Sequence, residues 1–146
     1  MAVVAACAIT MLSAGGVSAG GGFSKRSITG TYASTFQGSV IDSGSLLPIN
    51  GTAIFTADGK GNIKGRESFV FDGTACTNVA SVGTYTVNAD GSGTTSFIFT
   101  GSTSACSGTY TQSLAIAESG SIVVLNNTNT ANQISETWRR QGLPPP

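Results

Sequence analysis

Short stretches of alternating apolar and polar residues run along the chain from residue 30 to residue 140. Alternation with period two is typical of a β-strand that has one buried and one exposed face. Eight such runs, separated by turn residues, lie at 30–40, 50–57, 62–71, 82–88, 94–100, 108–117, 121–127 and 132–140. Because helical periodicity is confined to the first residues, the pattern predicts an all-β chain.

The turn residues between these runs predict how the strands are connected. Asp58-Gly59 and Asp90-Gly91 are Asp-Gly pairs of the kind that join neighbouring strands into hairpins. Eight sequential strands with short links favour an antiparallel up-and-down barrel, since closure removes the exposed edges. A β-sandwich is the alternative, although an immunoglobulin-like sandwich would place a Trp between its cysteines.

The beginning of the chain predicts export. Residues 1–12 (MAVVAACAITML) are apolar and are followed by small residues that end in Val-Ser-Ala at 17–19, so we expect a signal peptide at 1–19. About twelve apolar residues span roughly 18 Å as a helix, too short for a hydrocarbon core of about 30 Å. We therefore expect a periplasmic or extracellular protein without a stable membrane span. Lipidation of Cys7, in a lipobox-like sequence, is the alternative.

The mature chain is expected to have one domain between two short unstructured segments. Residues 20–28 (GGGFSKRSI) lack periodicity and predict a flexible lead. The barrel is expected at 29–141, and the proline-rich residues 142–146 predict a disordered tail.

Two cysteines, Cys76 and Cys106, remain after removal of a signal peptide. In an oxidising compartment two such cysteines usually pair. They fall between the third and fourth runs and between the fifth and sixth, and these two links emerge at the same end of an up-and-down barrel. We therefore expect a disulfide, with two buried free thiols as the alternative.

Composition excludes several functions. Seven Lys and Arg balance seven Asp and Glu, and the sequence has no His. A catalytic triad with a His base, a His-dependent metal site and a basic surface for nucleic acid are therefore excluded. We expect no cofactor, no metal, no nucleic-acid partner and no enzymatic activity, since no activated nucleophile is marked in the sequence.

Two short motifs at the ends of the predicted barrel resemble the lipocalin and calycin family. Gly30-Thr31-Tyr32 opens the first strand, where that family carries Gly-x-Trp, so Tyr32 stands in place of the Trp. Trp138-Arg139-Arg140 stands on the last strand, where the family carries an Arg that caps the first-strand motif. Residues 83–91 (GTYTVNADG) are also similar to small secreted bacterial proteins of that shape. The resemblance implies an eight-stranded antiparallel barrel with a ligand cavity.

Alternation also assigns side chains to the interior, because the more apolar face of each strand should point inward. This assignment places these apolar residues inside: Tyr32, Phe36, Phe55, Ile63, Phe69, Phe71, Tyr85, Val87, Phe97, Phe99, Tyr110, Leu114, Ile116, Ile134 and Trp138. Glu67, Gln112, Glu136 and Arg140 share the same face. The candidate ligand-binding residues of the lumen are Tyr32, Glu67, Phe69, Tyr85, Phe97, Tyr110, Gln112, Glu136, Trp138 and Arg140.

The inward polar groups need an explanation, because each costs about 1–3 kcal/mol or more when it is buried without a partner. In a structural interpretation, Arg140 pairs with Glu136 or Glu67 and caps an aromatic ring. In a binding interpretation, Glu67, Gln112 and the tyrosines orient a small guest. In an enzymatic interpretation, Glu67 and Glu136 form an acid–base pair, as small barrels resembling dirigent or allene oxide cyclase proteins run cyclisations with few catalytic groups.

We expect a secreted, monomeric barrel that binds a small apolar or amphipathic molecule without transforming it. The alternative is a structural or adhesive envelope protein that has a filled core and assembles edge to edge. A cavity of about 300 Å³ or more favours binding, whereas a solid core favours the structural role.

Overall fold

The computed structural model describes residues 22–127 and 132–142. In these ranges the chain forms one closed barrel of eight antiparallel strands. The strands are β1 Thr29–Asp42, β2 Ser45–Asp58, β3 Asn62–Phe71, β4 Thr74–Val87, β5 Ser92–Thr100, β6 Gly108–Ala117, β7 Ile122–Asn127 and β8 Asn132–Arg140. The predicted up-and-down barrel is confirmed, and the sandwich alternative is wrong. The predicted signal peptide at 1–19, Cys7 and residues 143–146 of the predicted tail lie outside the described residues.

Pairing of the first and last strands closes the sheet. Tyr32 on β1 lies opposite Phe55 on β2 and opposite Arg140 on β8. The connections alternate between two ends of the barrel. The lead end carries the β2–β3, β4–β5 and β6–β7 turns, and the disulfide end carries the β1–β2 and β3–β4 turns and the β5–β6 link.

The hairpin predicted at Asp58-Gly59 is present, and the aspartate organises it. Asp58 Oδ1 accepts hydrogen bonds from the backbone N–H groups of Lys60, Gly61 and Asn62 at 2.7, 3.0 and 2.9 Å. The Asn62 side chain and these amides hold the pKa of the Asp58 carboxyl well below its usual range. A side chain that caps its own turn in this way fixes the register of β2 against β3.

Strands β1, β2 and β4 are longer than the alternation predicted. The two-residue turns Ser43-Gly44 and Asp72-Gly73 both have positive φ at both positions, at 49° and 82° and at 46° and 79°. Such turns match the twist of the flanking strands and let pairing continue to the turn. The alternation missed these strand ends because consecutive apolar residues, such as Leu46 and Leu47, interrupt it.

Cys76 lies inside β4 rather than in the link where the sequence placed it. Glu67 pairs with Val79 and Phe69 pairs with Cys76, so two residues of β4 stand opposite Ser68 alone. One of the two, Asn78, has φ 54° and donates its N–H to Ser68 Oγ at 3.0 Å. This β-bulge shifts the alternation by one residue, and both Cys76 and Val79 are therefore buried.

The bulge turns Cys76 towards its partner. Cys106 ends a single-turn 3-10 helix, Ser104–Cys106, in the β5–β6 link. Cys76 and Cys106 form a disulfide with their Cα atoms 5.5 Å apart. The predicted pairing and its position at one end of the barrel are confirmed.

The described part of the predicted flexible lead packs against the barrel, which corrects that prediction. A 3-10 helix at Lys25–Ser27 leads into Ile28, whose side chain is fully buried in the core. The Tyr85 hydroxyl lies 2.7 Å from the Ile28 carbonyl oxygen and 2.9 Å from that of Lys25. Hydrogen bonds from core side chains to its backbone can therefore order a short segment that has no periodic pattern.

The described residues contain three 3-10 helices of three residues each. None of these helices has the length or the apolar composition of a membrane span.

The double variant C76A/C106A should have a free energy of unfolding about 3–4 kcal/mol lower than the wild type. The reason is that the disulfide restricts the conformations of the unfolded chain, and the variant loses this restriction. Urea denaturation measures the loss, with the exposed link residue Thr103→Ala as the control that should change little. Two titratable thiols in the folded, oxidised protein would contradict the pairing.

Candidate functional site

The residues assigned to the inner face lie inside the barrel and form two clusters. One cluster fills the lead end and contains Tyr32, Phe55, Phe97 and Trp138, none of which is more than 1% exposed. The Trp138 ring centroid lies 5.5, 5.9 and 6.0 Å from those of Phe55, Phe97 and Tyr32. The second cluster, at the disulfide end, contains Phe36, Phe69 and the two cysteines.

Six buried polar side chains form a third set, which we call the polar layer: Ser34, Glu67, Ser81, Thr95, Gln112 and Glu136. Within it, Glu136 has clear partners. Its Oε1 accepts a hydrogen bond from the Ser34 hydroxyl at 2.5 Å and another from Trp138 Nε1 at 2.7 Å. Burial raises the pKa of Glu136, and these donors partly offset the increase. Glu136 is thus a carboxyl held in place by the core around it.

Glu67 is buried to a similar extent but lacks such partners. The side chain is 3% exposed, and its Oε1 has no hydrogen-bond partner among the described residues. Burial raises the pKa of Glu67 to about 7, while nearby Ser81 and Tyr110 hydroxyls lower it and the Glu136 charge raises it. The Ser81 Oγ itself makes no hydrogen bond within 3.5 Å in the described chain, so its support is weak. We therefore expect Glu67 to change its charge near neutral pH inside the barrel.

A cavity of about 200 Å³ opens at the disulfide end, and both Glu67 and Glu136 line it. Four aromatic rings form a continuous arc along its wall. The centroid separations are 6.3 Å for Phe36–Phe69, 5.7 Å for Phe69–Phe99 and 5.8 Å for Phe99–Tyr110. The site thus combines an apolar wall with a carboxyl group that has one oxygen without a hydrogen bond from residues 22–127 or 132–142.

Gly51 on β2 makes room for two of these rings. A Cβ at this position would lie 2.6 Å from Phe36 Cζ and 2.6 Å from Phe69 Cβ, closer than real Cβ contacts. A residue without a side chain is therefore required where the two phenylalanines approach the strand.

The volume of this cavity lies between that expected for a binding barrel and that expected for a filled core. It is below the threshold of about 300 Å³ set for a binding barrel, yet the interior is not solid. An apolar cavity of about 150 Å³ is large enough to bind benzene. The observed cavity, at about 200 Å³, thus has room for one six-membered ring with a short polar arm.

The structure divides the ten candidate lumen residues. Glu67, Phe69, Tyr110 and Glu136 line the cavity. Tyr32, Tyr85, Phe97, Gln112, Trp138 and Arg140 do not line it, and they belong to the filled core, the polar layer or the lead end.

Several residues of the cavity wall were not among the candidates. They are Phe36, Val40, Ile49, Phe71, Phe99, Gly108, Thr109, Asn132 and Ile134, together with Ser104, Ala105 and Ser107 of the β5–β6 link. The alternation places Phe36, Phe71, Phe99 and Ile134 in the interior. The position of Phe71, Phe99 and Ile134 within two residues of the disulfide-end termini of their strands is a signal that could have found them. The link residues carried no such signal, because the disulfide rather than a pattern brings them to the cavity.

Arg140 makes different contacts from those expected, since neither Glu67 nor Glu136 pairs with it. Its Nη2 donates to the Ser27 carbonyl and to the Tyr32 hydroxyl, both at 3.0 Å, and its guanidinium lies 5.6 Å from the Tyr32 ring centroid. The expected cap on an aromatic ring is present, but the expected ion pair is wrong. The reason is that Arg140 lies at the lead end, whereas both carboxyl groups line the cavity at the other end.

Comparison with known proteins gives a structural likeness alone. The sequence matches no family model and no curated protein. Its fold is similar to that of a redesigned β-barrel, mFAP1, solved bound to DFHBI, with a TM-score of 0.52 and 13% sequence identity. The alignment covers 80% of this chain and 97% of that one. This likeness supports the β-barrel fold alone, and the resemblance to the lipocalin and calycin family stays a prediction.

The Glu67→Gln variant should be more stable than the wild type at pH 8 and nearly equal to it at pH 4. The Glu67 carboxyl has an ordinary pKa of 4.5 and a folded pKa of about 7, so the native state holds a proton that the unfolded state has lost. The Glu67 contribution to wild-type stability is therefore full below about pH 4.5 and is lost as the pH rises from there through about 7, by about 3 kcal/mol in total. The amide side chain of the variant has no charge to bury and escapes this loss.

Urea denaturation at a series of pH values measures this difference. The exposed Glu118→Gln variant is the matched control and should follow the wild-type profile. Parallel profiles for Glu67→Gln and the wild type would show that Glu67 does not ionise inside the barrel.

Arg140→Ala should lower the free energy of unfolding by about 1–3 kcal/mol, because the Tyr32 hydroxyl and the Ser27 carbonyl lose a charged donor. Its neighbour Arg139 is exposed, and Arg139→Ala should leave stability almost unchanged. Equal unfolding midpoints for the two variants would mean that Arg140 does not stabilise the lead end.

Proposed function

We propose that this protein is an exported barrel that binds a small amphipathic molecule with a single ring and does not transform it. One observation carries the proposal. A cavity of about 200 Å³ has a wall of aromatic rings and is also lined by Glu67, whose buried Oε1 accepts no hydrogen bond from the described residues. Ligand sites are typically concave and mostly apolar, with a few placed polar groups that fix orientation.

The likeness to mFAP1 supports this proposal at the level of architecture. That barrel of similar fold was solved bound to DFHBI. Here the apolar contribution would come from Phe36, Phe69 and Phe99, and the orienting contribution from Glu67 and Tyr110. Each apolar square ångström removed from water contributes about 25 cal/mol, so the rings would supply most of the affinity.

Export is supported by the disulfide together with the sequence of the first nineteen residues. Disulfides form and persist in oxidising compartments such as the periplasm or the extracellular space. The Cys76–Cys106 disulfide joins residues with a sequence separation of 30 and is expected to hold in place the β5–β6 link, whose Ser104, Ala105 and Ser107 line the cavity.

Binding without catalysis is supported by the unequal environments of the two carboxyl groups. An acid–base pair needs both groups to reach the reacting atoms. Glu136 already accepts hydrogen bonds from Ser34 and Trp138, so its Oε1 is committed to the core. Glu67 alone has an oxygen that accepts no hydrogen bond from the described residues.

The closed sheet also weakens the structural alternative. Assembly from edge to edge requires an unpaired strand edge. In the barrel each of the eight described strands pairs on both sides, because β8 returns to β1. The exposed apolar side chains Ile54, Val82 and Ile98 lie on the outer surface, where they offer no backbone hydrogen bonds to a neighbour.

Filling the cavity tests the proposal. Ile134 lines the cavity and Ile98 is 53% exposed on the outer face, so Ile134→Phe and Ile98→Phe are the same change at an inner and an outer position. Isothermal titration calorimetry would measure binding of three probes that share one ring: benzylamine, benzyl alcohol and benzoate. We expect saturable binding of at least one probe, weakened about ten-fold or more by Ile134→Phe and unchanged by Ile98→Phe.

Cooperative unfolding of both variants would show that each retains the fold. Saturable binding that Ile134→Phe leaves unchanged would place the ligand outside the cavity. Absence of saturable binding for all three probes would overturn the proposed function.

A further inference from the structure

The charged side chains around the cavity all have the same sign. Glu67 and Glu136 line it, and the lining residues of the described chain include no Lys or Arg. Arg140, the cation on the inner face of β8, is engaged at the lead end by Tyr32 and Ser27. The sequence contains no His that could become a cation there. An ionised carboxylate in this cavity therefore has no countercharge from its lining.

This arrangement sets what a complementary ligand must supply. Buried charges in proteins are normally paired and hydrogen-bonded. Glu67, 3% exposed, has neither an ion pair nor a hydrogen bond at Oε1 among the described residues. A neutral alcohol would provide a donor without a charge, and an anion would meet two carboxyl groups. A protonated amine would provide both the donor and the charge.

The aromatic arc favours the same ligand class. Aromatic faces attract ammonium groups through the ring quadrupole, most strongly where water is excluded. Phe36, Phe69, Phe99 and Tyr110 line the same cavity as Glu67. An ammonium group near Glu67 would therefore be stabilised by the carboxylate and by neighbouring rings.

We propose that the ligand is a protonated amine with a single ring, whose ammonium N–H donates to the Glu67 carboxylate while its ring packs against Phe36, Phe69 and Phe99. The inference rests on the proposed function and specifies the chemistry of the same site. The volume of about 200 Å³ limits the amine to about one ring and a short arm.

The proposal predicts how binding depends on pH. The groups that face Glu67 are Glu136 from β8, Tyr110 from β6 and the neutral Ser81 from β4. Because the pKa of Glu67 is about 7, the carboxyl is mostly protonated below pH 7. It must then lose its proton before it can bind an ammonium group. Amine affinity should rise about ten-fold from pH 6 to pH 8, with close to one proton released per ligand at pH 6. An alcohol that accepts a hydrogen bond from protonated Glu67 would show the opposite trend.

Calorimetry with benzylamine, benzyl alcohol and benzoate at pH 6 and pH 8 tests the proposal on the full mature protein. We expect benzylamine to bind at least about ten-fold more tightly than benzyl alcohol at pH 8, and benzoate to bind weakest. Titrations in buffers of different ionisation enthalpy would measure the released proton. Glu67→Gln should remove both the amine preference and the pH dependence, and the exposed Glu118→Gln should keep both.

The outcomes separate the inference from the proposed function. Benzyl alcohol or benzoate that binds as tightly as benzylamine at pH 8, with binding still sensitive to Ile134→Phe, would overturn the amine and leave the binding barrel in place. An amine preference that survives in Glu67→Gln would also overturn the inference. If that variant failed to fold, the pH dependence and proton release of the wild type would decide the question alone.

Discussion

The pairing of β8 with β1 is the constraint on which the rest of this structure depends. Closure gives every strand two partners, but it also commits every second side chain to a shared interior. Tyrosine hydroxyls and Arg140 on that interior find backbone carbonyls at the lead end, where residues 25–28 close the barrel. Glu67 lies towards the other end, and its Oε1 accepts no hydrogen bond from the described residues. The interior is consequently filled at one end and open, acidic and aromatic at the other.

The fold could be predicted to a large extent because its signals are local. Alternation identified all eight strands and an inner face for seven of them, and Asp-Gly pairs located two turns. The inner face of β7, with the buried Val123 and Leu125, was not assigned. What it missed depends on contacts distant in sequence. The bulge at Asn78 places Cys76 inside β4, and Ile28 orders the lead through burial in the core. The sequence around Asn78 and the sequence around Ile28 both resemble that of a loop, so neither feature could be predicted locally.

The site could be predicted only in part, for a related reason. Period two tells which way a side chain points and says nothing of its depth along the barrel axis. Glu67 and Tyr110 were therefore grouped with Tyr32 and Arg140, although a filled core separates them. The predicted ion pair of Arg140 was wrong for this reason. Arg140 shares the inner face with Glu67 and Glu136, but it lies at the opposite end of the barrel. The wall formed by the disulfide-bound link could not be predicted from alternation at all.

Trp138 connects the two halves of the barrel. It is the protein's single tryptophan, its indole N–H donates to Glu136, and Glu136 lines the cavity. The colour and intensity of indole emission respond to nearby charge and to the strength of such a hydrogen bond. Trp138 is thus a fluorescent reporter buried in the core of the barrel. Its emission is sensitive to the charge of Glu136, which lines the cavity. The protein's own light emission can follow events there without any attached label.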